Sequence, residues 1–512
     1  MKSSLVISLL LLVPTLVGAQ EDAKKEMAVA LKAQKAYDNF NYKKVIELYE
    51  DLVNGSIKSQ RNLANSYWKL GDLANAERAY SRMMDMEDRT AEDVLNYAIL
   101  LRQIGEYDES IAKMKEYSEL NKSDAFVNPY LEEPKAHEFL LDSNGYFDLI
   151  HLAFNSAYQD LAPTYHGEGS IVFVSSREPF KPVKRRYAGN GLPFLNLFQA
   201  YTYDSTFNFI YPRSFAKELN GKMHDGPVTF SKDLSEIIFT ANSKTKNENG
   251  YYTLQLYYSR KNGKSWSKPQ LMSINDSVAS TCHPSLSADG KSLYFASNRA
   301  GGSGGFDIYR ADKTESGWGT PQNLGKTINS ARDEVFPFIH ESGQVLSYSS
   351  NGKVGLGGLD IFMCPVNLDK TTGRVFNLGS PINSNGNDFA FIFNNDQTKG
   401  YLTSDRDGGK GREDIYGVDI KRPIVFMKVI MGTILDEDGR PAGAVDVSLK
   451  DADGNILQSI STDIDGKFRF DVEEDKNYQI EAGNSIYQKE LRKVDAKANS
   501  GELKLQIRMK QK

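Results

Sequence analysis

The stretch PSLSADGKSLYFASNRAGGSGGFDIY, residues 284–309, decides how the chain is read. Ser287, Asp289 and Gly290 predict a tight turn, and residues 293–296 then alternate as a strand. Ser297, Asn298 and Arg299 close that strand, and a glycine run delivers Asp307, Ile308 and Tyr309. The same grammar recurs downstream. Asn298 to Asp307, Asn351 to Asp360 and Asp405 to Asp414 are each nine positions apart. Each of the three Asp residues precedes an apolar pair, and successive Asp residues are 53 and 54 positions apart.

Self-similarity on that scale, built from short alternating strands, predicts the blades of an all-β propeller. Counting from the repeat gives five blades, at 162–222, 223–280, 281–332, 333–387 and 388–422, with a sixth hidden in 181–222 as the alternative. Asn196 and Gln255 replace the repeat's Asp in the first two. Trp266 and Trp318 occupy matching sites, as do Asn329 and Asn383, and suit aromatic wedges between sheets and side chains that tie turns down. The repeated polar residues Asn298, Arg299, Asp307, Asn351, Asp360, Asp405, Arg406 and Asp414 are therefore expected to brace the fold.

At 512 residues the chain is too long for one core, and about three domains are expected. A formal net charge of −5 without a basic block argues against nucleic acid or anionic lipid as main partner. Lys2, the apolar run 5–17 and the small residues Val17, Gly18 and Ala19 predict a cleavable signal peptide over 1–19, hence export. The run is shorter than the roughly 20 residues that span a bilayer. Cys282 and Cys364 fall at non-equivalent places in adjacent repeats, so no disulfide is expected.

Residues 20–120 read as helices at tetratricopeptide-like spacing. Turns recur at Phe40, Asn41 and Tyr42, at Gly71, Asp72 and Leu73, and at Gly105, Glu106 and Tyr107, with Gly71 and Gly105 34 residues apart. Two to three such repeats either offer a concave face to a protein partner or buttress the next domain. Residues 121–146, broken by Pro129 and Pro134, read as a linker. The propeller then spans 147–423, its first strand at 147–153 a candidate to close the ring. Residues 424–512 carry the spacing of a small seven-strand-like β-sandwich. The fold class is thus multidomain: all-α helical repeats, an all-β propeller, then a sandwich.

No catalytic constellation assembles along the chain. The glycine run 301–305 matches a serine-hydrolase elbow in letters, but a strand follows it where that elbow needs a helix. Ser259, Asn262, Gly263 and Trp266 echo the aspartate box of sialidase propellers, with Lys261 where that motif has Asp. Asp463, Asp465 and Gly466 read as a turn rather than a calcium loop, since Glu474 at the distal position has strand residues before it. The six His residues include no short-spaced pair, so neither metal nor cofactor is expected. The cluster Lys181, Lys184, Arg185 and Arg186 reads as a solvated loop or as a docking surface for an acidic partner or polysaccharide.

The run from Ser297 to Tyr309 resembles the TolB-type, WD-like propeller repeat. The tail, with Gly432, Thr433, Ile434, Pro441, Val445, Val447, Thr462, Asp463, Gly466 and Phe468, resembles a carboxypeptidase regulatory-like domain, which is non-catalytic. In this order the three modules resemble the PorE-like envelope proteins of Bacteroidota, periplasmic parts of the type 9 secretion and gliding apparatus. Those proteins continue into an OmpA-type peptidoglycan-binding domain, whereas this sequence stops at Lys512, so no peptidoglycan-binding residue is carried over. The resemblance implies a non-enzymatic periplasmic scaffold that binds envelope proteins at the outer membrane. A glycan-binding or glycan-cleaving propeller and a TolB-like envelope-integrity factor are the alternatives. An apolar plug in the central funnel would count against the glycan reading.

Overall fold

The computed structural model describes residues 26–49, 56–142, 145–177, 185–202, 206–367, 369–422, 424, 427–473, 476–495 and 503–512. The expected signal peptide lies outside them. No helix among the described residues is long and apolar enough to cross a membrane. The chain divides into two compact units, one of residues 1–363 with 377–421 and one of 364–376 with 422–512.

The first unit opens with eight helices among the described residues. Six form three consecutive pairs: α1 (26–38) with α2 (Tyr42–Tyr49), α3 (Ile57–Lys69) with α4 (Leu73–Met84), and α5 (Ala91–Gln103) with α6 (Tyr107–Leu120). The three inter-helix turns share one conformation, with positive φ at Phe40 (57°), Gly71 (78°) and Gly105 (85°). Small or slim residues at the crossings, Ala64, Ala76, Ala79 and Ala98, are buried and let the helices approach. Thr90 caps α5 in a capping box with Asp93, whose carboxylate also accepts two bonds from Arg61 of α3, at 2.5 and 2.7 Å. Burial opposes ionisation of Asp93, but the Arg61 and Thr90 hydrogen bonds outweigh it and hold the carboxyl below its ordinary range.

The stretch read as a linker is structured instead. It carries α7 (Asn128–Glu132) and α8 (Ala136–Leu141), and Phe126, Val127 and Tyr130 are buried in the helical core. Pro129 sits at the first turn of α7, where a missing N–H costs nothing, so the proline starts a helix where it was expected to break the chain.

Five antiparallel sheets follow, each beginning with one long-paired inner strand. The inner strands are Asp160–Tyr165, Asp225–Phe230, Thr281–Leu286, Glu334–Ile339 and Asp388–Phe393. Ser170–Ser175, Glu236–Asn242, Ser292–Ser297, Val345–Ser350 and Lys399–Ser404 pair with them as second strands. Third strands begin at Asn196, Leu254, Asp307, Asp360 and Asp414. The first strand of this region, Phe147–His151, pairs with Asp414–Ile420 and completes the fifth sheet with residues from the other end of the array. Residues 181–222, the alternative location of a sixth blade, contribute Asn196–Tyr201 and Arg213–Ser214 to the first sheet.

The inner strands pack on one another in a cycle, each on the next and the fifth on the first. Side-chain hydroxyls stitch every junction of that cycle. Thr164 Oγ1 donates to Val228 O at 2.8 Å, Thr229 Oγ1 accepts from Leu286 N at 3.1 Å, and Ser285 Oγ accepts from Ile339 N at 3.0 Å. Ser347 Oγ donates to Phe391 O at 2.8 Å, and Thr403 Oγ1 accepts from Ala162 N at 2.9 Å, which returns to the first sheet. The strand-to-strand bonds stop at each sheet's edge, so these hydroxyls satisfy backbone groups that burial would otherwise strand.

In the second unit, Met427–Leu435 lies between Lys467–Glu473 and Leu503–Arg508 in one sheet. Ile456–Ser461, Asp446–Lys450, Asn477–Gly483 and Glu490–Asp495 form a second sheet in that order. Its core is built from alternating residues such as Val447, Leu449, Phe468, Phe470, Tyr478 and Ile480. The sixth of its seven described strands in chain order, Glu490–Asp495, carries four charges in six residues, which hides it from a reading based on apolar alternation.

Candidate functional site

The repeated polar residues converge on the backbone of the sheets. The residue after each second strand accepts a hydrogen bond from the amide just before the inner strand. Asn298 Oδ1 takes Ser280 N and Asn351 Oδ1 takes Asp333 N, both at 2.8 Å, while Asp405 Oδ1 takes Asn387 N at 2.5 Å. Ser176 and Asn242 do the same for Gln159 and His224, each at 3.0 Å, so all five sheets share the contact. Burial pushes the Asp405 carboxyl above its ordinary range, against the two bonds from Asn387.

One position on, arginines face inward. Arg299 Nε donates to Ser297 Oγ at 3.0 Å, one Nη reaches Ile274 O at 3.0 Å, and the guanidinium lies 5.1 Å over the Tyr309 ring. Arg406 repeats this on Ser404 and Ile382 and adds an ion pair of 2.6 Å with buried Asp388. Arg177 pairs with buried Asp160 at the same 2.6 Å. Ser175, Ser176 and Arg177 spell the same signal as 297–299 but were not singled out from the sequence, because the degenerate glycine run after them masked the repeat.

Asp307, Asp360 and Asp414 face back onto the glycine loops before them. Asp307 accepts from Ser303 N and from Asn323 Nδ2 (2.7 Å), Asp360 from Leu356 N (3.0 Å) and Gly357 N (3.1 Å), and Asp414 from Lys410 N and from Gly411 N (3.2 Å). A Cβ at Gly357 would sit 2.0 Å from Gly386 O, and one at Gly411 1.8 Å from Tyr158 O, so each loop presses on the next sheet. Burial raises the Asp360 carboxyl to about 7, with Arg102 pulling it down and Asp388 pushing it up. Asn155, Asn275, Asn329 and Asn383 complete the lattice, each bonding both N–H and C=O of one third-strand residue: Ile415, Leu256, Ile308 and Ile361.

Two concavities remain. The inner strands enclose a cavity of about 740 Å³ lined by Pro163, Pro227, Pro284 and Pro337 together with aromatic rings. His283, held at positive φ, stacks on Phe336 at 3.8 Å between centroids, and Phe336 meets Phe389 at 4.7 Å. Burial holds the His283 imidazole down at about 3, so it is neutral and packs as an apolar ring. Glu168, Lys232, Glu341 and Asp396 ring the same cavity, and Lys232 pairs with Glu341 at 2.7 Å.

The second concavity, about 1170 Å³, lies between the helices and the glycine-loop face of the sheets. Trp68, Glu77, Arg78, Glu106 and Glu109 line it from the helices, and Tyr158, Asn190, Asp407 and Arg412 from the sheets. Its walls are held together by contacts no sequence pattern announced. Arg102 Nε donates to Gly357 O at 2.9 Å, Tyr130 OH to Lys353 O at 2.7 Å, and Asn385 Nδ2 to Gln103 O at 3.0 Å. Of the basic cluster, Lys181 and Lys184 lie outside the described residues, while Arg186 donates to Gly191 O at 3.0 Å within its own loop. Cys282 and Cys364 are both buried and are not joined in a disulfide. Among the described residues no group of three or more His, Cys, Asp or Glu could hold a metal. Asp463 Oδ1 accepts from Lys467 N at 2.7 Å and its backbone oxygen accepts from Gly466 N at 3.0 Å, closing a turn.

A helical region followed by a cyclic array of antiparallel sheets, and then a two-sheet unit, defines the class of protein at hand. No family model matches the chain. It is similar to serine-aspartate repeat-containing protein D of Staphylococcus aureus, 42% identical over 48 residues, which is 9% of this chain and 4% of that protein's length. Among solved structures it is similar to TolB from Acinetobacter baumannii, at 16% identity over 60% of this chain and 64% of that one, with a TM-score of 0.31. A TolB described as putative, from Agrobacterium tumefaciens, gives 14% identity over 64% and 97%, with a TM-score of 0.31. A protein of unknown function from Dyadobacter fermentans gives 14% over 52% and 77%, with a TM-score of 0.33.

Proposed function

We propose that the five sheets are the blades of a TolB-like propeller and that the protein is a non-enzymatic periplasmic scaffold binding envelope proteins at the outer membrane. The observation that carries this reading is the fate of the repeated polar residues. Asn298, Asn351, Asp405, Arg299, Arg406, Asp307, Asp360 and Asp414 each make hydrogen bonds to neighbouring backbone or side chains of the sheets. Side chains so committed brace a surface and are not free to move protons. Membership in a type 9 secretion or gliding apparatus belongs to this proposal and rests on the module order.

The cleft between helices and sheets is the partner site this reading favours, since ligands gather where two substructures meet. The stacked rings of His283, Phe336 and Phe389 give the wall of the central cavity an apolar stretch, which favours the scaffold reading over a glycan there. The test is site-specific photocrosslinking in intact envelopes, with the photoreactive residue at Arg78 or Glu109 in the cleft and at Lys291 as a control outside it. Discrete protein adducts at the two cleft positions and none at the control are expected. Absence of adducts at the cleft, with specific retention of the protein on a glycan array, would replace this reading with the glycan one.

A further inference from the structure

The two sheets of the second unit end in four edge strands, and three of them are guarded by charge. Glu490–Asp495 carries Glu490, Arg492, Lys493 and Asp495, and the strands Lys467–Glu473 and Leu503–Arg508 carry charged side chains as well. The fourth edge, Ile456–Ser461, reads Ile-Leu-Gln-Ser-Ile-Ser, with neither a charge nor a proline. Charged and proline-bearing edges are the usual protection against unwanted strand pairing, so one unguarded edge among guarded ones is a specific feature.

The edge is also open. Five of its six residues are exposed, with Ile456 at 62% and Leu457 at 54%, and Ile464 in the following turn is 91% exposed. Its sheet partner among the described residues is Asp446–Lys450 alone. Thr462 directs both its N–H and its C=O toward that neighbour, bonding Val445 and Ala444. By the alternation of an extended chain, Ser461 and Ser459 direct theirs away from the sheet, up to the register shift that leaves Leu457 unpaired with the neighbouring strand.

The charges at the two ends of the edge say what can pair there. Asp451 and Asp453 occupy the turn before it, and Asp463 and Asp465 the turn after it, with the exposed Lys467 3.6 Å from Asp465. Hydrogen bonds from Asn455 hold Asp451 below the ordinary carboxylate range, so it is ionised at neutral pH. A second copy of the chain, added parallel or antiparallel, would set acid against acid at both ends. A foreign strand with basic residues at its ends would meet complementary charge there.

We propose that Ile456–Ser461 is a strand-addition site, and that its occupant is an extended segment of another polypeptide, uncharged in the middle and flanked by Lys or Arg. Backbone pairing supplies the attachment, and Ile456, Leu457 and Ile464 supply apolar contact for alternate side chains. This site is separate from the cleft and does not depend on it.

The test uses the full secreted chain and two fluorescent peptides of alternating Thr and Val, one flanked by lysines and one by glutamates, with binding followed by anisotropy. The lysine-flanked peptide is expected to bind, more weakly as salt rises, and the glutamate-flanked peptide to fail. Ser459→Pro removes one outward N–H, and Leu457→Lys places a charge on the edge; each is expected to weaken binding at least about tenfold. Circular dichroism identifies any variant that fails to fold, and Leu457→Lys decides if Ser459→Pro does. Failure of both peptides, equal binding of both, unchanged binding by the folded variants, or a dimer abolished by Leu457→Lys would each overturn the proposal.

Discussion

Arg102, in the last turn of α5, donates from Nε to the carbonyl oxygen of Gly357 at 2.9 Å, across 255 positions of sequence. Its guanidinium also lies 4.7 Å over the ring of Tyr130, and its side chain is 2% exposed. The contact joins the helices to the very loop that Asp360 organises. Although one Nη of this guanidinium is buried without a hydrogen-bond partner, the Nε bond and the ring contact tie the last turn of α5 to the sheets.

Replacing Arg102 with Ala should therefore cost about 2 kcal/mol, since it removes a charge-assisted bond and leaves Gly357 O without its donor. Denaturant unfolding of the full chain measures the loss. Arg102→Lys is expected to recover little of it, because an ammonium cannot reproduce the planar stacking on Tyr130.

Asp360 makes the same junction sensitive to pH. Its carboxyl stands at about 7 in the folded chain against 3.8 as a free side chain, so the folded state binds the extra proton in between. A group raised in this way contributes stability that is fully present below the unfolded value and is lost as pH rises through the folded one. Stability should fall from pH 4 to pH 7 by on the order of 3 kcal/mol from this group alone. Asp360→Asn is expected to flatten that slope, as followed by unfolding midpoints at a series of pH values, while keeping one acceptor for Leu356 N or Gly357 N.

Two glycines with different surroundings separate steric need from backbone freedom. Gly357→Ala places a Cβ 2.0 Å from Gly386 O, whereas at Gly250, with φ of +82°, a Cβ meets nothing within 4 Å. The first change should destabilise by about 3 kcal/mol or more through overpacking, the second by about 1 kcal/mol through left-handed strain alone. Thermal unfolding of the two variants side by side checks the ratio.

Asn155 guards the place where the last sheet takes its strand from the start of the array. Its side chain accepts from Ile415 N at 3.0 Å and donates to Ile415 O at 2.8 Å. Asn155→Ala leaves Ile415 N without its side-chain partner and Ile415 O with the longer bond from Leu152 N at 3.3 Å, and should cost about 2 kcal/mol, whereas Asn155→Asp, which can still accept but not donate, should fall between. Chemical denaturation of both variants measures the difference.

The array of sheets was legible because its repeat is written in residues whose chemistry the backbone demands. Each nine-residue interval runs from a turn-tying Asn or Asp to the Asp that gathers a glycine loop, and both ends find backbone donors. The hydroxyls that stitch one inner strand to the next were not legible, since Thr164, Thr229 and Ser285 look like any strand residue until a neighbouring sheet supplies a partner. Nor were Arg102, Gln103 and Tyr130, whose partners lie hundreds of positions away. The stretch 121–146 was misread for a related reason: composition registered its prolines and acids, while Phe126, Val127 and Tyr130 have their partners in helices earlier in the chain.

The proposed scaffold requires a cycle of sheets braced by its own polar repeat and closed by Phe147–His151 against Asp414–Ile420. Hydrogen–deuterium exchange on the amides of Phe147–His151 tests it most directly. Closure requires that these amides exchange only with the inner strands, in one cooperative opening, and that Asn155→Ala speeds them. Exchange within seconds in the native chain, independent of the inner strands, would show an open array and contradict it.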